Sequence, residues 1–316
     1  MKVLVAGGKG FIGSHLVNYL KAKGHWVRSV DVERSSYLKT KEDEFLPLDL
    51  RRYEKVEKAV DGVDWIFNLA ANMGGIGFIS AYGADIMHDN ALINIYMAEA
   101  AVKNNVERMF FSSSACIYPA YKQQTPEGLP LKEEFAVPAE PDQFYGWEKL
   151  FSEKLYEAYQ RDYGLKTRMA RFHNIYGPYG TYKGGREKAP AALCRKVALA
   201  KDEGYIRVWG DGKQTRSFLY IDDCLRGLWT LMNADYDQPL NIGSDRLVTI
   251  DELANIIIGI SRKKLRIRHD SDKPQGVRGR NADLTLVRRV IGWEPKVSLE
   301  EGLGITYDWI NKMVKK

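Results

Sequence analysis

The chain of 316 residues carries 47 Lys and Arg against 41 Asp and Glu, a formal charge of +6, and 45% of it is hydrophobic. That apolar fraction supports a sizeable core and excludes global disorder, and the length suits about two domains. No apolar run approaches the roughly 18 residues of a membrane span; the basic residues form no arm or tail, which favours an anionic small molecule over nucleic acid.

In chain order, residues 2–6 form a short apolar run ending in glycines, as expected of a strand buried on both faces. Met1 leads straight into it with no signal peptide ahead. Three scattered cysteines (Cys116, Cys194, Cys224) contain no CxxC pair, which suits a reducing cytoplasm and argues against zinc or a disulfide framework. Residues 13–23 have helical spacing, and 26–32 alternate towards Asp31 as a second strand. Further strands are predicted at 64–71, 108–114 and 166–173, with helices at 90–104 and 144–163. Alternating strands and helices imply an α/β fold, a doubly wound parallel sheet of the Rossmann type.

The second half is more broken. Residues 177–188 hold four glycines and read as a long loop, followed by a helix at 190–200. The stretch 216–233 reads as a strand end running into another strand. A short strand at 239–243 and a helix at 250–260 follow, and 270–281 reads as a charged, glycine-rich loop.

Two constellations carry chemistry. Gly7, Gly10 and Gly13 form GxxGxxG directly after a strand and opening a helix. Glycines there allow a tight turn and close approach of backbone to a pyrophosphate, which the helix N-terminus attracts. Asp31, 18 residues beyond Gly13, would accept from both ribose hydroxyls and repel a 2′-phosphate. NAD is therefore favoured over NADP, although Arg34 nearby leaves that choice open. The prediction is an NAD-binding domain over 1–175, with returning segments near 216–245. Residues 176–316 would form mainly a smaller, interleaved C-terminal substrate-binding domain closing over a shared cleft.

The second constellation is Ser114, Tyr145 and Lys149. Tyr145 and Lys149 are four apart, so one helix face carries both. A nearby ammonium and the positive nicotinamide would lower the tyrosine from about 10 towards neutrality, as a general base requires. Ser114, ending a strand, would hydrogen-bond the same substrate oxygen. Read alone, a Tyr-x-x-x-Lys pair is an ordinary solvated face; the glycine fingerprint ahead of it gives it meaning.

GGKGFIG near the start, NLAA at 68–71, SSSACIYP at 112–119 and YGWEK at 145–149 resemble the extended short-chain dehydrogenase/reductase family. More narrowly, NLAANMGGIGFI, RFHNIYGPYGTYKGGREKAPAALCRK, GDGKQTRSF, NIGSD and GVRGRNAD are together similar to the GDP-mannose 3,5-epimerase family, over nearly the whole chain. The resemblance implies an isomerase acting on GDP-mannose. Tyr145, backed by Lys149 and Ser114, would take the 4-hydroxyl proton while hydride passes to NAD. The 4-ketone acidifies positions 3 and 5, where Cys116 and Lys188 would serve as the acid/base pair. Reduction of the ketone then returns NAD. The chemistry independently favours two such groups, because each inversion takes a proton from one face and delivers one to the other.

The resemblance further implies cofactor contacts at Phe11, Ile12, Asp49, Leu50, Leu69, Ala70 and Ala71. Gly74, Gly75, Asn174, Glu187, Ala189 and Lys196 would line the sugar or diphosphate, and Gln214, Thr215, Arg216 and Arg278 the nucleotide half. Read without it, Cys116 is a small core residue, Lys188 a solvated loop lysine and Arg278 a surface charge. His173 reads as a packed or hydrogen-bonding histidine, and no metal is expected. Plant members carry an N-terminal extension that this chain lacks. Other readings are a different nucleotide-sugar epimerase, a dehydratase, a GDP-fucose synthase-like enzyme or a non-catalytic NAD(H)-sensing scaffold. A dehydratase would want a carboxylate where Ala115 and Cys116 stand, and a synthase would want NADPH. A homodimer through helices 90–104 and 144–163 is expected, with neither nucleic acid nor membrane as partner.

Overall fold

The computed structural model describes residues 1–316 apart from positions 35 and 274. The first half runs β1 (Lys2–Ala6), α1 (Phe11–Ala22), β2 (Trp26–Asp31), β3 (Glu44–Pro47), α2 (Tyr53–Val60), β4 (Trp65–Asn68), α3 (Ile76–Ala81), α4 (Gly83–Lys103), β5 (Arg108–Ser114), β6 (Pro130–Leu131), α5 (Phe144–Tyr163) and β7 (Thr167–Phe172). The second runs β8 (Ile175–Tyr176), α6 (Ala189–Leu199), β9 (Tyr205–Trp209), β10 (Thr215–Arg216), β11 (Leu219–Tyr220), α7 (Ile221–Asn233), β12 (Leu240–Ile242), β13 (Val248–Thr249), α8 (Ile250–Ser261), β14 (Arg266–Asp270), β15 (Gly279–Ala282), α9 (Thr285–Ile291) and α10 (Leu299–Val314).

The seven-stranded sheet has the order β12-β7-β5-β4-β1-β2-β3, and every pair in it is parallel. Strand order reverses between β1 and β4, so a crevice opens at their carboxyl ends, where doubly wound folds bind ligands. The sequence of β1 explains its central place. Val3 and Val5 point into the core shared with α1 and α7, while Leu4 and Ala6 point into the core shared with α2 and α4. A strand with two buried faces must be apolar throughout.

The second half supplies three strands of a four-stranded sheet, β13-β10-β15-β6, whose edge β6 comes from the first half, and a two-stranded pair of β14 with β9. Helices α6, α8 and α10 pack among themselves, burying Leu193, Val197, Leu253, Ile257, Leu303 and Ile310. No helix among the described residues is long and apolar enough to cross a membrane.

Two expectations need correction. Residues 216–233 are not strand running into strand: two short strands give way to the helix α7. Ile221, Cys224, Leu225, Leu228, Leu231 and Met232 recur every three to four residues and are all buried, a helical and not an alternating pattern. Residues 270–281 are not wholly loop, because β15 enters a sheet with Arg280 and Asn281 buried. Their polarity disguised a strand whose side chains meet polar partners inside the protein.

Candidate active site

The glycine turn lies at the β1/β4 switch point. Gly7 has φ 77°, and a Cβ there would come within 2.9 Å of Ala70 N and the Leu69 carbonyl carbon. A side chain on Gly13 would overlap the Gly7 carbonyl. The turn can therefore lie flat against residues 69–71, with Gly10 as the N-cap of α1 and Phe11 and Ile12 as its first residues. The unsatisfied N–H groups and positive dipole end of α1 face this cradle, which suits a pyrophosphate. Asp31 ends β2; its Oδ2 accepts from Lys9 N at 2.9 Å and its Oδ1 from Glu33 N at 3.1 Å. Asp49 pairs with Arg51 at 2.8 Å, beside the buried Leu50.

Ser114 closes β5, and its Oγ accepts from Cys116 N at 3.1 Å, which fixes the turn at 115–117. That turn presses on α5, where a Cβ on Gly146 would overlap the Cys116 carbonyl oxygen. Cys116 is thereby brought beside Tyr145, with which it packs along with Ile79 and Ile86. Lys149 Nζ donates to Ser112 O at 3.0 Å and stands 5.6 Å from the Tyr145 ring centroid. Burial pushes the Tyr145 hydroxyl well above its ordinary value, Cys116 and Glu148 add to this, and only the Ser114 hydrogen bond opposes it. Burial likewise lowers Lys149, against Glu148 and Glu153. In the protein alone, without the nicotinamide charge, desolvation of the Tyr145 hydroxyl dominates.

Lys188 is the N-cap of α6, and Ala189 its first residue. The preceding loop is stitched to residues 74–75. Gly75 N donates to Arg186 O at 3.1 Å, and a Cβ on Gly75 would come 2.6 Å from Glu187 O. A Cβ on Gly74 would come 2.8 Å from Phe78. Burial lowers Lys188, while the proximity of Cys116 and Cys224 raises it. The loop that leads into Lys188 is thereby held against residues 74–75, whose neighbours Met73 and Ile76 pack with Tyr145 and Cys116.

The remaining sequence-predicted residues surround this centre with their polar groups partly engaged. Asn174, at φ 46°, donates to Ser217 O at 2.9 Å. Glu187 binds Arg195 at 3.1 Å, and Lys196 donates to Arg207 O at 2.7 Å. Gln214 donates to Trp209 O at 3.0 Å and leaves its buried Oε1 without a partner. Thr215 Oγ1 donates to Pro126 O. Arg216 donates to the carbonyls of Thr215 (2.7 Å) and Gln275 (3.3 Å); burial, then Arg280, lowers it to about 9. Arg278 turns to the rim, 3.0 Å from Asp211.

His173 is buried with Nε2 2.9 Å from Asn241 Oδ1, and burial lowers it to about 3. Among the described residues no cluster of three or more His, Cys, Asp or Glu has metal-binding geometry.

Sequence reasoning missed Arg280, which places Nη1 3.2 Å from Cys116 Sγ. It also missed Glu148, buried between Asn90, Asn94 and Ser152 at 3.2, 3.0 and 2.8 Å. Arg280 lies two residues beyond Arg278 in the quoted GVRGRNAD block, so a two-residue strand period would have nominated both.

A crevice shaped for a dinucleotide, with Ser114, Tyr145 and Lys149 buried beside it, defines an α/β enzyme of the Rossmann type. The chain belongs to the NAD dependent epimerase/dehydratase family, whose model matches residues 3–243. It is 47% identical over 319 residues to GDP-mannose 3,5-epimerase of Arabidopsis thaliana, covering 100% of this chain and 84% of that protein. GDP-mannose 3,5-epimerase 1 of Oryza sativa subsp. japonica is 46% identical over 320 residues, covering 100% and 83%. Among solved structures, UDP-glucose 4-epimerase of Thermotoga maritima with UDP-glucose superposes with a TM-score of 0.89 at 28% identity, covering 99% of this chain and 100% of that one.

Proposed function

We propose that the protein inverts positions 3 and 5 of GDP-mannose to give GDP-L-galactose, with GDP-L-gulose as the 5-epimer, through a transient 4-keto sugar. The observation that carries this reading is Cys116 packed beside Tyr145, with the loop that leads into Lys188 hydrogen-bonded to Gly75 next to them, in a chain 47% identical over its full length to a GDP-mannose 3,5-epimerase. A 4-epimerase needs only the tyrosine centre; two further proton-transfer groups serve a second kind of step.

NAD would be held by the Gly7–Gly13 turn, Asp31, Asp49 and residues 69–71, and when bound it accepts and returns a hydride at position 4. Tyr145 holds and moves the proton of the 4-hydroxyl, with Ser114 bound to the same oxygen. Its raised hydroxyl in the protein alone supports a need for the cofactor's positive charge before it can act as a base. Cys116 and Lys188 then remove and return protons at carbons acidified by the ketone. Arg216 and its neighbours supply forked donors for the diphosphate, and the unpartnered Gln214 oxygen supplies an acceptor for the base.

We assign residues 1–175, with β12 returning to the large sheet, to cofactor binding, and 176–316 mainly to substrate. We further propose that the protein works in the cytoplasm as a homodimer. Phe144, Trp147 and Phe151 support the dimer: they lie exposed on α5 at helical spacing, beside α4. The test of function is incubation with GDP-mannose in deuterated water, without added cofactor, followed by NMR. Deuterium at both positions 3 and 5 is expected, with GDP-L-galactose appearing. Absence of exchange even with added NAD would refute the assignment.

A further inference from the structure

We propose that Arg280 is a positioning residue for Cys116: its guanidinium aims the sulfur into the site and supplies the positive charge against which the thiol gives up its proton. The inference rests on the reading of Cys116 as an acid/base group.

Arg280 is 7% exposed and is fixed on two sides before it meets the sulfur. Its Nε donates to Gln123 Oε1, and its Nη2 lies 3.5 Å from Asp142 Oδ2. Gln123 is itself pinned, donating to the carbonyls of Tyr118 at 3.0 Å and Pro119 at 3.1 Å. The remaining nitrogen, Nη1, meets Cys116 Sγ at 3.2 Å. A planar fork held at two points leaves the third little freedom, which a flexible lysine could not reproduce.

The surroundings of the sulfur are strongly basic. Arg280 meets it from β15 and Tyr145 packs beside it from α5, while Arg216 stands in register with Arg280 on the neighbouring β10 and Lys188 caps the start of α6. Asp142 pairs with Arg280. Arg216, in register with Arg280, hydrogen-bonds the carbonyls of Thr215 and Gln275. A guanidinium in contact with a sulfur favours the anionic form of a thiol.

The experiment is alkylation of the full chain by iodoacetamide over a pH series, with the Cys116 peptide followed by mass spectrometry. Cys194 and Cys224 are fully buried, with thiols pushed up by burial, so they react far more slowly. In Arg280→Gln, the pH midpoint of Cys116 alkylation is expected to rise, slowing the reaction at neutral pH roughly tenfold. Arg280→Lys should fall between, and it decides the matter if the Gln variant loses its fold. In turnover, kcat and deuterium exchange should drop while the KM for GDP-mannose changes little. An unchanged alkylation profile in the folded variants, with KM raised, would overturn the proposal and leave Arg280 as a substrate ligand only. If the wild-type protein ignores GDP-mannose but alkylation still shifts, the proposed function falls and the Arg280–Cys116 coupling stands.

Discussion

The carbonyl oxygen of Cys116 occupies the space in which a side chain on Gly146 would begin. The turn after β5 and the first turn of α5 are thereby locked in van der Waals contact, which sets Cys116 against Tyr145. Gly146→Ala should force the two apart. Overpacking of this kind costs about 1–3 kcal/mol, so a lower melting temperature is expected together with a loss of kcat out of proportion to it. Wild-type turnover in the Ala variant would show that the contact does not set the geometry.

Tyr145→Phe removes the hydroxyl but keeps the ring that packs with Ile79 and Ile86. Turnover should fall by roughly 10²–10⁴, the span of general acid–base catalysis, while NAD content after purification is unchanged. Joint loss of cofactor and activity would instead point to a structural role.

His173 gives a pH signature of stability. Buried against Asn241, it takes a proton only near pH 3 in the folded protein, against 6.5 when free. Between those values the unfolded chain holds more protons, so stability falls as the pH drops through the window. The slope from this one group approaches about 1.4 kcal/mol per pH unit. Urea unfolding at several mildly acidic pH values should show this slope in the wild type and its reduction in His173→Gln.

The exposed stripe on α5 predicts the assembly. Trp147→Glu with Phe151→Glu should convert a dimer to monomers in light scattering, without altering the buried half of the helix. A dimer that survives both charges would have to use another face.

Much of this was legible in residues alone. The β1 run, the glycine turn and the Tyr145–Lys149 spacing follow from periods of 2 and 3.6 and from the needs of a phosphate. Cys116 and Lys188 carried no such signal, and only the surrounding motifs nominated them. The position of the loop that leads into Lys188 depends on Gly75 threading against Glu187 O, a contact between residues 112 apart. Arg280 was hidden for a different reason. Its strand is polar because it is satisfied by Gln123 and Asp142, and a buried polar strand looks like a loop until its partners are known. The helix α7 was legible too, in the three-to-four spacing of Ile221, Cys224, Leu225, Leu228, Leu231 and Met232, which a strand reading of 216–233 passes over.

Strand β6 belongs to the first half of the chain but pairs with β15, joining Pro130 and Leu131 to Asn281 and Ala282. The ties continue on either side, with Arg278 N donating to Gln123 O and Asp283 N to Leu131 O. Anyone grafting a new sugar specificity onto this scaffold would find that a crossover near residue 175 severs the sheet that carries Arg216 and Arg280. The segment 123–131 has to be exchanged as one piece with the strands around 215 and 280. Modular redesign here follows the hydrogen-bonded neighbourhood and not the linear order of the chain.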